Sequence, residues 1–219
     1  PLERAIMRRN LKVTEVLVSH PQCDINHRGG DNDSTSLHLC ASDFMPEIVE
    51  LLLKHPKCDV NIKDESGQTP LHLAVEEENL DMVNLLLEDP RCKVNSQDEN
   101  KLTPLHGAAY AGVKDITKVL LDQEGININM KDENGNTALH FAAEQENFDD
   151  SLLILQHDKY DINLADNHGC NPLHKAVREH FHELESVMMK HPDIKKDALT
   201  NDGRCYCSYA MECGNIQAA

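Results

Sequence analysis

Two runs of apolar residues at helical spacing follow one another in the middle of the chain. In the first run, Ala74 and Val75 come three and four positions after Leu71, which places the three residues on one face of a helix. Thr69 is a suitable N-cap, and Pro70 suits the first helical position, where its missing N–H costs nothing. The pattern predicts a short helix that begins at Pro70.

The second run predicts another helix, directly after a tight turn at Glu78-Asn79. Asn tolerates the left-handed conformation that such a turn needs, and Asp81 is favourable beside the positive end of the helix that it opens. The apolar face of this helix consists of Met82, Val83, Leu85, Leu86 and Leu87. Pro90 prevents the helix from continuing, and the polar turn Asp98–Lys101 leads to the next Thr-Pro pair.

This pattern returns at a constant spacing of 34 residues. Thr-Pro-Leu-His or a close variant begins at residues 35, 69, 103, 137 and 171, and a decayed copy begins at residue 205. The copies predict a single array, because self-similarity at a fixed period is the signature of repeat architectures. Its predicted parts are a partial first repeat at 1–34, repeats at 35–68, 69–102, 103–136, 137–170 and 171–204, and a truncated last repeat at 205–219.

The helices of each repeat are too short to be stable alone in water, since neither exceeds about ten residues. Their apolar faces can be buried only against the neighbouring repeat. The sequence therefore predicts an all-α solenoid in which each helix pair stacks on the next one.

The motif Thr-Pro-Leu-His-x-Ala, followed by a helix pair and a polar turn, resembles the ankyrin-repeat family over nearly the whole chain. The resemblance implies stacked ankyrin repeats, each a helix-turn-helix with a β-turn or hairpin, in a curved right-angle stack whose concave face binds proteins. The period of 34 residues is one longer than usual. Glu78 and Glu146 stand where the family usually has a Gly such as Gly112, so we expect slight strain at those two turns.

Both ends of the sequence lead us to expect a fragment of a longer protein with flanking repeats or domains. The chain starts directly on helical residues, and the last copy has lost its His. Terminal repeats normally carry polar caps, whereas the last copy carries Tyr206, Tyr209 and Met211.

The charge balance favours some partners over others. The chain has 21 Lys and Arg against 38 Asp and Glu, a net charge of −17, and such a surface repels phosphate backbones and anionic membranes. We expect a protein partner that docks through a basic segment, with no direct contact to nucleic acid or membrane. No apolar run approaches the roughly 20 residues that cross a bilayer.

The residue types that often carry chemistry follow the repeat pattern. The motif histidines are His38, His72, His106, His140 and His174. The family resemblance implies that they hold backbone and Thr groups, and helices packed roughly 8–10 Å apart keep them from sharing one Zn²⁺ at about 2.0–2.1 Å. The acidic pairs Asp64-Glu65, Asp98-Glu99 and Asp132-Glu133 lie at repeated turn tips, where such residues are ordinary turn formers.

The remaining candidate clusters are weak. His180 and His182 are two residues apart and point in different directions on a helix, and Cys205, Cys207 and Cys213 lack zinc-ligand spacing. We therefore expect no catalytic residue, no metal and no cofactor, and the chain is not predicted to be an enzyme. Equivalent cysteines of stacked repeats are too far apart for disulfides, and free thiols favour the cytoplasm, the nucleus or the cytoplasmic side of a membrane protein.

Partner-binding residues are expected at the outward positions of the first helices and at the turn tips. The candidates are Glu76, Glu77, Tyr110, Glu144, Gln145, Lys175 and Arg178 on the helices and Glu65, Glu99, Lys101 and Glu133 at the tips. Tyr110 is the preferred anchor, because interface hot spots are enriched in Tyr, Trp and Arg. The resemblance also implies hydroxylation candidates at Asn61, Asn95, Asn129 and Asn163.

The function predicted from the sequence is a protein-protein interaction module or scaffold. Two alternatives stay open at this stage. One is the cytoplasmic arm of a TRP-type ion channel, and the other is the specificity domain of a larger enzyme.

Overall fold

The computed structural model describes residues 1–29 and 31–212, in two compact units, Pro1–Glu99 and Asn100–Ala219. The first unit contains helices α1 (Leu2–Met7), α2 (Leu11–Val18), α3 (Ser36–Ser42), α4 (Pro46–Leu53), α5 (Pro70–Glu76) and α6 (Leu80–Leu87). The second contains α7 (Pro104–Ala111), α8 (Lys114–Leu121), α9 (Ala138–Glu144), α10 (Phe148–Leu155), α11 (Pro172–Arg178), α12 (His182–Met189) and α13 (Tyr206–Glu212). Within the described residues a 3₁₀ turn covers Asp31–Asp33, and two isolated bridges join Arg28 to Thr35 and Leu199 to Cys205.

The first helix of a pair begins where the sequence predicts it. Thr69 is the N-cap of α5, with extended backbone angles, and Pro70 is its first residue. The motif His closes a capping box, because the Nδ1 atom of His72 accepts the backbone N–H of Thr69 at 3.1 Å. The same capping box opens α3, α7, α9 and α11. Residues at the motif positions therefore fix both the start and the direction of each of these helices.

The turn within a pair differs from the sequence prediction in one respect. Glu78, not Asn79, has the left-handed conformation, with φ 53°. Asn79 is the N-cap of α6, where its side chain accepts the backbone N–H of Met82 at 3.0 Å. This cap lets α6 begin at Leu80, so Asp81 is its second residue and not its first.

Within each unit the helices stack by position. In the first unit α1, α3 and α5 pack in succession, as do α2, α4 and α6; in the second, α7, α9, α11 and α13 form one row and α8, α10 and α12 the other. The predicted apolar residues are mostly buried: Leu71, Ala74, Val75, Met82, Val83 and Leu86 are at most 2% exposed, while Leu85 and Leu87 are half-buried. This burial supplies the main favourable term, about 1.5–3 kcal/mol for each large side chain.

Candidate functional site

The motif histidines tie one repeat to the next. His38 donates from Nε2 to the carbonyl oxygen of Gln68 at 3.0 Å, and its Nδ1 atom faces the backbone N–H and hydroxyl of Thr35. Burial lowers the pKa of His38, since the charged form would lose its hydration. The His38 imidazole is therefore a neutral structural link between two repeats.

The two carboxylates of the acidic pair Asp64-Glu65 have different roles at their turn tip. Asp64 is buried and accepts the backbone N–H groups of Ser66 and Gln68 at 2.9 and 2.8 Å. Glu65 points to solvent, and its backbone N–H donates to the Asn32 carbonyl at 2.9 Å. This tip is therefore held by its own Asp and by the preceding tip, and Glu65 is exposed on an ordered turn.

The same arrangement presents the other predicted tip residues. Glu99 is exposed in the first unit, with its backbone N–H bonded to the Ser66 carbonyl at 3.1 Å. In the second unit Glu133 is exposed and bonded in the same way to Asn100 at 3.0 Å. Lys101 is exposed and left-handed, with φ 60°.

The outward ends of the first helices in the first unit form a patch that we call the acidic patch: Asp43, Glu76, Glu77 and Glu78. All four residues are exposed. Asp43 and Glu77 are the C-caps of α3 and α5, and Glu76 is the last residue of α5. Glu76 accepts a hydrogen bond from the Gln68 side chain at 3.2 Å. Within residues 1–29 and 31–212, none of the four carboxylates forms an ion pair.

An aromatic cluster occupies the corresponding face of the second unit. Tyr110 is 56% exposed and meets the ring of Phe141 edge-on, with ring centroids 6.2 Å apart. Phe141 in turn packs edge-on against His106 at 5.8 Å. Sequence reasoning selected Tyr110 but missed Phe141, although Phe141 fills the variable position of the Thr-Pro-Leu-His-x-Ala motif.

An ion-pair network lies beside this cluster and involves three of the predicted binding residues. Arg178 donates to Glu144 at 2.6 Å and to Glu179 at 2.5 Å. Lys175 is only 9% exposed and lies 3.5 Å from Asp166 and 3.9 Å from Glu144. Lys175 thus lies beneath the surface on which the sequence placed it, and Glu144 is already paired. Gln145 remains exposed.

The predicted hydroxylation sites link successive loops on the other side of the repeats. Asn129 donates to the Lys159 carbonyl at 2.7 Å and accepts the backbone N–H of Asp161 at 3.0 Å. Asn61 and Asn163 make the equivalent pairs of bonds, and hydroxylation at Asn61, Asn95, Asn129 and Asn163 stays a prediction.

The thiols differ in their surroundings. The described cysteines, Cys23, Cys40, Cys58, Cys92, Cys170, Cys205 and Cys207, are all free, and Cys213 lies outside the described residues. Burial raises the pKa of Cys40 and Cys92 to about 12. Within the described part of the chain, no three His, Cys, Asp or Glu side chains are gathered as metal ligands. No described helix has the length and apolar character needed to cross a membrane.

Successive helix pairs joined by turns that bond from one repeat to the next define a helical repeat protein. A family model for ankyrin repeats matches residues 2–98 and 90–166. The chain belongs to the ankyrin-repeat family.

Solved structures support the same fold. The ankyrin repeat domain of Bcl-3, described as a unique member of the IkappaB protein family, is 23% identical, with a TM-score of 0.88 over 100% of this chain and 98% of that one. The ankyrin repeat protein EF0377 is 23% identical, with a TM-score of 0.77 over 83% of this chain and 93% of that one. At this identity the likeness concerns the fold alone. No curated protein sequence shows significant similarity to the chain.

Proposed function

We propose that the chain binds a partner protein through a Lys- or Arg-rich segment, which docks on the outward ends of the first helices and on the turn tips. Ankyrin repeats in general are protein-protein interaction modules. The acidic patch of the first unit is the observation that carries the more specific proposal.

The acidic patch works against the stability of its own helix. Glu76 and Glu77 lie at the negative end of α5, where an acid costs typically 0.3–1 kcal/mol. Glu78 adds a like charge and a left-handed backbone. Charges that oppose local stability, with no ion pair among the described residues to offset them, are expected at functional sites. A basic segment would supply the missing compensation.

The ion pairs of the glutamates show which of them are suitable for a mutational test of binding. Reversing the charge of Glu144 would break its ion pair with Arg178, so any loss of binding there would be ambiguous. Glu76 and Glu77 are exposed and outside any ion pair of the described chain. Glu88 offers a matched control, because it is also an exposed helix C-cap.

The test is a selection of displayed random peptides on the wild-type chain alone, after which the enriched peptides are measured on the double variant Glu76→Lys, Glu77→Lys. We expect the enriched peptides to be rich in Lys and Arg. They should bind the wild type and Glu88→Lys with similar affinity and the double variant at least about tenfold more weakly, the loss of roughly 1.4 kcal/mol. The melting temperature of the double variant should not fall.

Two results would contradict the proposal. One is enrichment of peptides without a basic bias. The other is equal binding by the wild type and the double variant, which would show that the acidic patch takes no part in recognition.

A further inference from the structure

One aromatic side chain lies exposed in the turn between α3 and α4 of the first unit. Phe44 is 43% exposed and has the left-handed backbone conformation, with φ 49°. The left-handed residues at the same position of the other helix pairs are Arg9, Glu78, Gly112, Glu146 and His180. Apart from the glycine these residues are polar and exposed. Phe44 is therefore an apolar exception at a position that faces solvent.

The turn that contains Phe44 has a neighbouring turn on either side, because α3 packs on both α1 and α5. From the first of these turns, the Arg9 guanidinium donates to the carbonyl oxygen of Asp43 at 2.8 Å. Phe44 itself forms no ring–ring or cation–π contact with any residue that the structure describes. The exposed part of its ring is available to a ligand.

Four carboxylates belong to this turn and to the next one. Asp43 directly precedes Phe44, Glu47 lies in the first turn of α4, and both are exposed. Glu77 and Glu78 are exposed in the turn after α5. The two turns are neighbours, since α3 and α5 pack side by side. In the part of the chain that the structure describes, none of these four carboxylates is ion-paired.

An exposed aromatic ring beside such carboxylates suits a guanidinium group better than an ammonium group. Arg stacks its planar group on aromatic rings and matches the geometry of a carboxylate, whereas Lys carries a compact and strongly hydrated charge. A purely apolar ligand would take water away from the carboxylates without replacing it. The bond from Arg9 to the Asp43 carbonyl shows that the backbone of this turn accepts a guanidinium.

We propose that the basic segment of the partner places an arginine on Phe44, with its guanidinium stacked on the exposed part of the ring and its N–H groups directed at Asp43 and Glu77. This inference rests on the proposed function, because it names the partner residue that the same surface recognises. The acidic patch attracts any basic segment. Phe44 adds a preference for arginine over lysine.

Two labelled, end-blocked peptides of equal charge test this preference. One alternates Arg with Gly over about 12 residues and the other alternates Lys with Gly, so that both are flexible. Fluorescence anisotropy at low salt should show that the wild-type chain binds the Arg peptide more tightly than the Lys peptide. Arg also pairs with carboxylates better than Lys does. The decisive quantity is therefore the part of the preference that depends on Phe44.

Phe44→Leu removes the ring and keeps an apolar side chain at the same position. Binding of the Arg peptide should weaken by about two- to fivefold, which corresponds to about 0.5–1 kcal/mol for an exposed cation–π contact. Binding of the Lys peptide should change by less than about twofold. Phe44→Tyr is the matched control, because it keeps the ring and should retain the preference of the wild type. The melting temperatures of the two variants should be similar, which excludes unfolding as the cause.

The double variant Glu76→Lys, Glu77→Lys separates this inference from the proposed function. It should weaken binding of both peptides, because it removes an attraction that they share. If it does so while Phe44→Leu keeps the full preference for Arg, the role of Phe44 is overturned and the acidic patch stands.

Three further results would also overturn the role of Phe44. The wild type could bind the two peptides equally, or Phe44→Tyr could lose the preference to the same extent as Phe44→Leu. The third result is equal binding of both peptides by the wild type and the double variant, which would overturn the proposed function together with this inference.

Discussion

The two ring nitrogens of His140 have opposite roles. Nε2 donates to the Cys170 carbonyl at 3.0 Å, and Nδ1 accepts the backbone N–H of Thr137 at 3.0 Å. Because a carbonyl oxygen can only accept, the proton resides on Nε2 and the ring is neutral. A second proton on Nδ1 would face the N–H of Thr137. Burial, the largest cause, lowers the pKa of His140 to about 4.

The first prediction at this scale is a loss of stability in mild acid. The unfolded chain takes up a proton near pH 6.5 and the folded chain only near pH 4, so the unfolded state binds more protons between them. For His140 alone, the free energy of unfolding should be about 2 kcal/mol lower at pH 5 than at pH 7. His38 and His174, whose pKa values burial also lowers, act in the same direction. Asp150, with a pKa raised by burial, partly opposes them.

Urea unfolding at the two pH values measures this effect. In His140→Asn the stability is lower at both pH values, but the difference between them should shrink by the contribution of His140. Equal stability of the wild type at pH 5 and pH 7 would contradict the neutral buried imidazole.

Residue-scale prediction from sequence succeeds where the repeat motif determines the environment. The family resemblance implied a structural role for the motif histidines. The structure shows this role within a single helix start, since the N-cap residue and the His are only three residues apart. The resemblance did not give the burial of Lys175, because the partners of that side chain, Asp166 and Glu144, come from a turn and a helix of the preceding repeat. An outward helical position looks exposed until those neighbours are in place.

At the scale of the helix pair, the turn between the two helices contains one residue in the left-handed conformation. Whether that residue can carry a side chain depends on the neighbouring residues of the next pair. Glu78 has φ 53°, Glu146 has φ 57° and Gly112 has φ 73°. At Gly112 an added Cβ would lie 2.5 Å from the side-chain oxygen of Asn147. The Asn147 amide occupies that space because it donates to the carbonyls of Ala109 and Tyr110 at 2.9 and 3.0 Å. The sequence shows which turn has a Gly, but not that a side chain of the next pair requires it.

Glycine substitutions at these turns should therefore have opposite effects. Glu146→Gly removes the strain of a side chain at a left-handed backbone position, but it also gives the unfolded chain more conformational freedom. The first effect is the larger, so we expect a net stabilisation of about 0.5–1 kcal/mol. Gly112→Ala adds left-handed strain and displaces Asn147, so it should destabilise the chain by more than about 1 kcal/mol. Thermal or urea unfolding of both variants checks the pair. A stabilising Gly112→Ala would show that the Asn147 bridge is dispensable.

The prediction of helix pairs from sequence succeeded at this scale because each short amphipathic helix buries one face. The spacing of the apolar residues indicates which face that is. The start of α6 differs by one residue from the prediction because the side chain of Asn79 caps this helix.

At the scale of the whole chain, the thiols should form a graded series of reactivity that follows burial. The thiolate is the reactive form, and burial raises the pKa of Cys58 to about 11 and that of Cys40 to about 12. Cys205 differs, because hydrogen bonds from Ser208 lower its pKa. Brief alkylation with iodoacetamide near neutral pH, followed by peptide mapping, should label Cys205 well before Cys40 and Cys58. Ser208→Ala should slow labelling of Cys205 without changing Cys40, and equal rates at Cys40 and Cys205 would contradict the burial of the inner thiols.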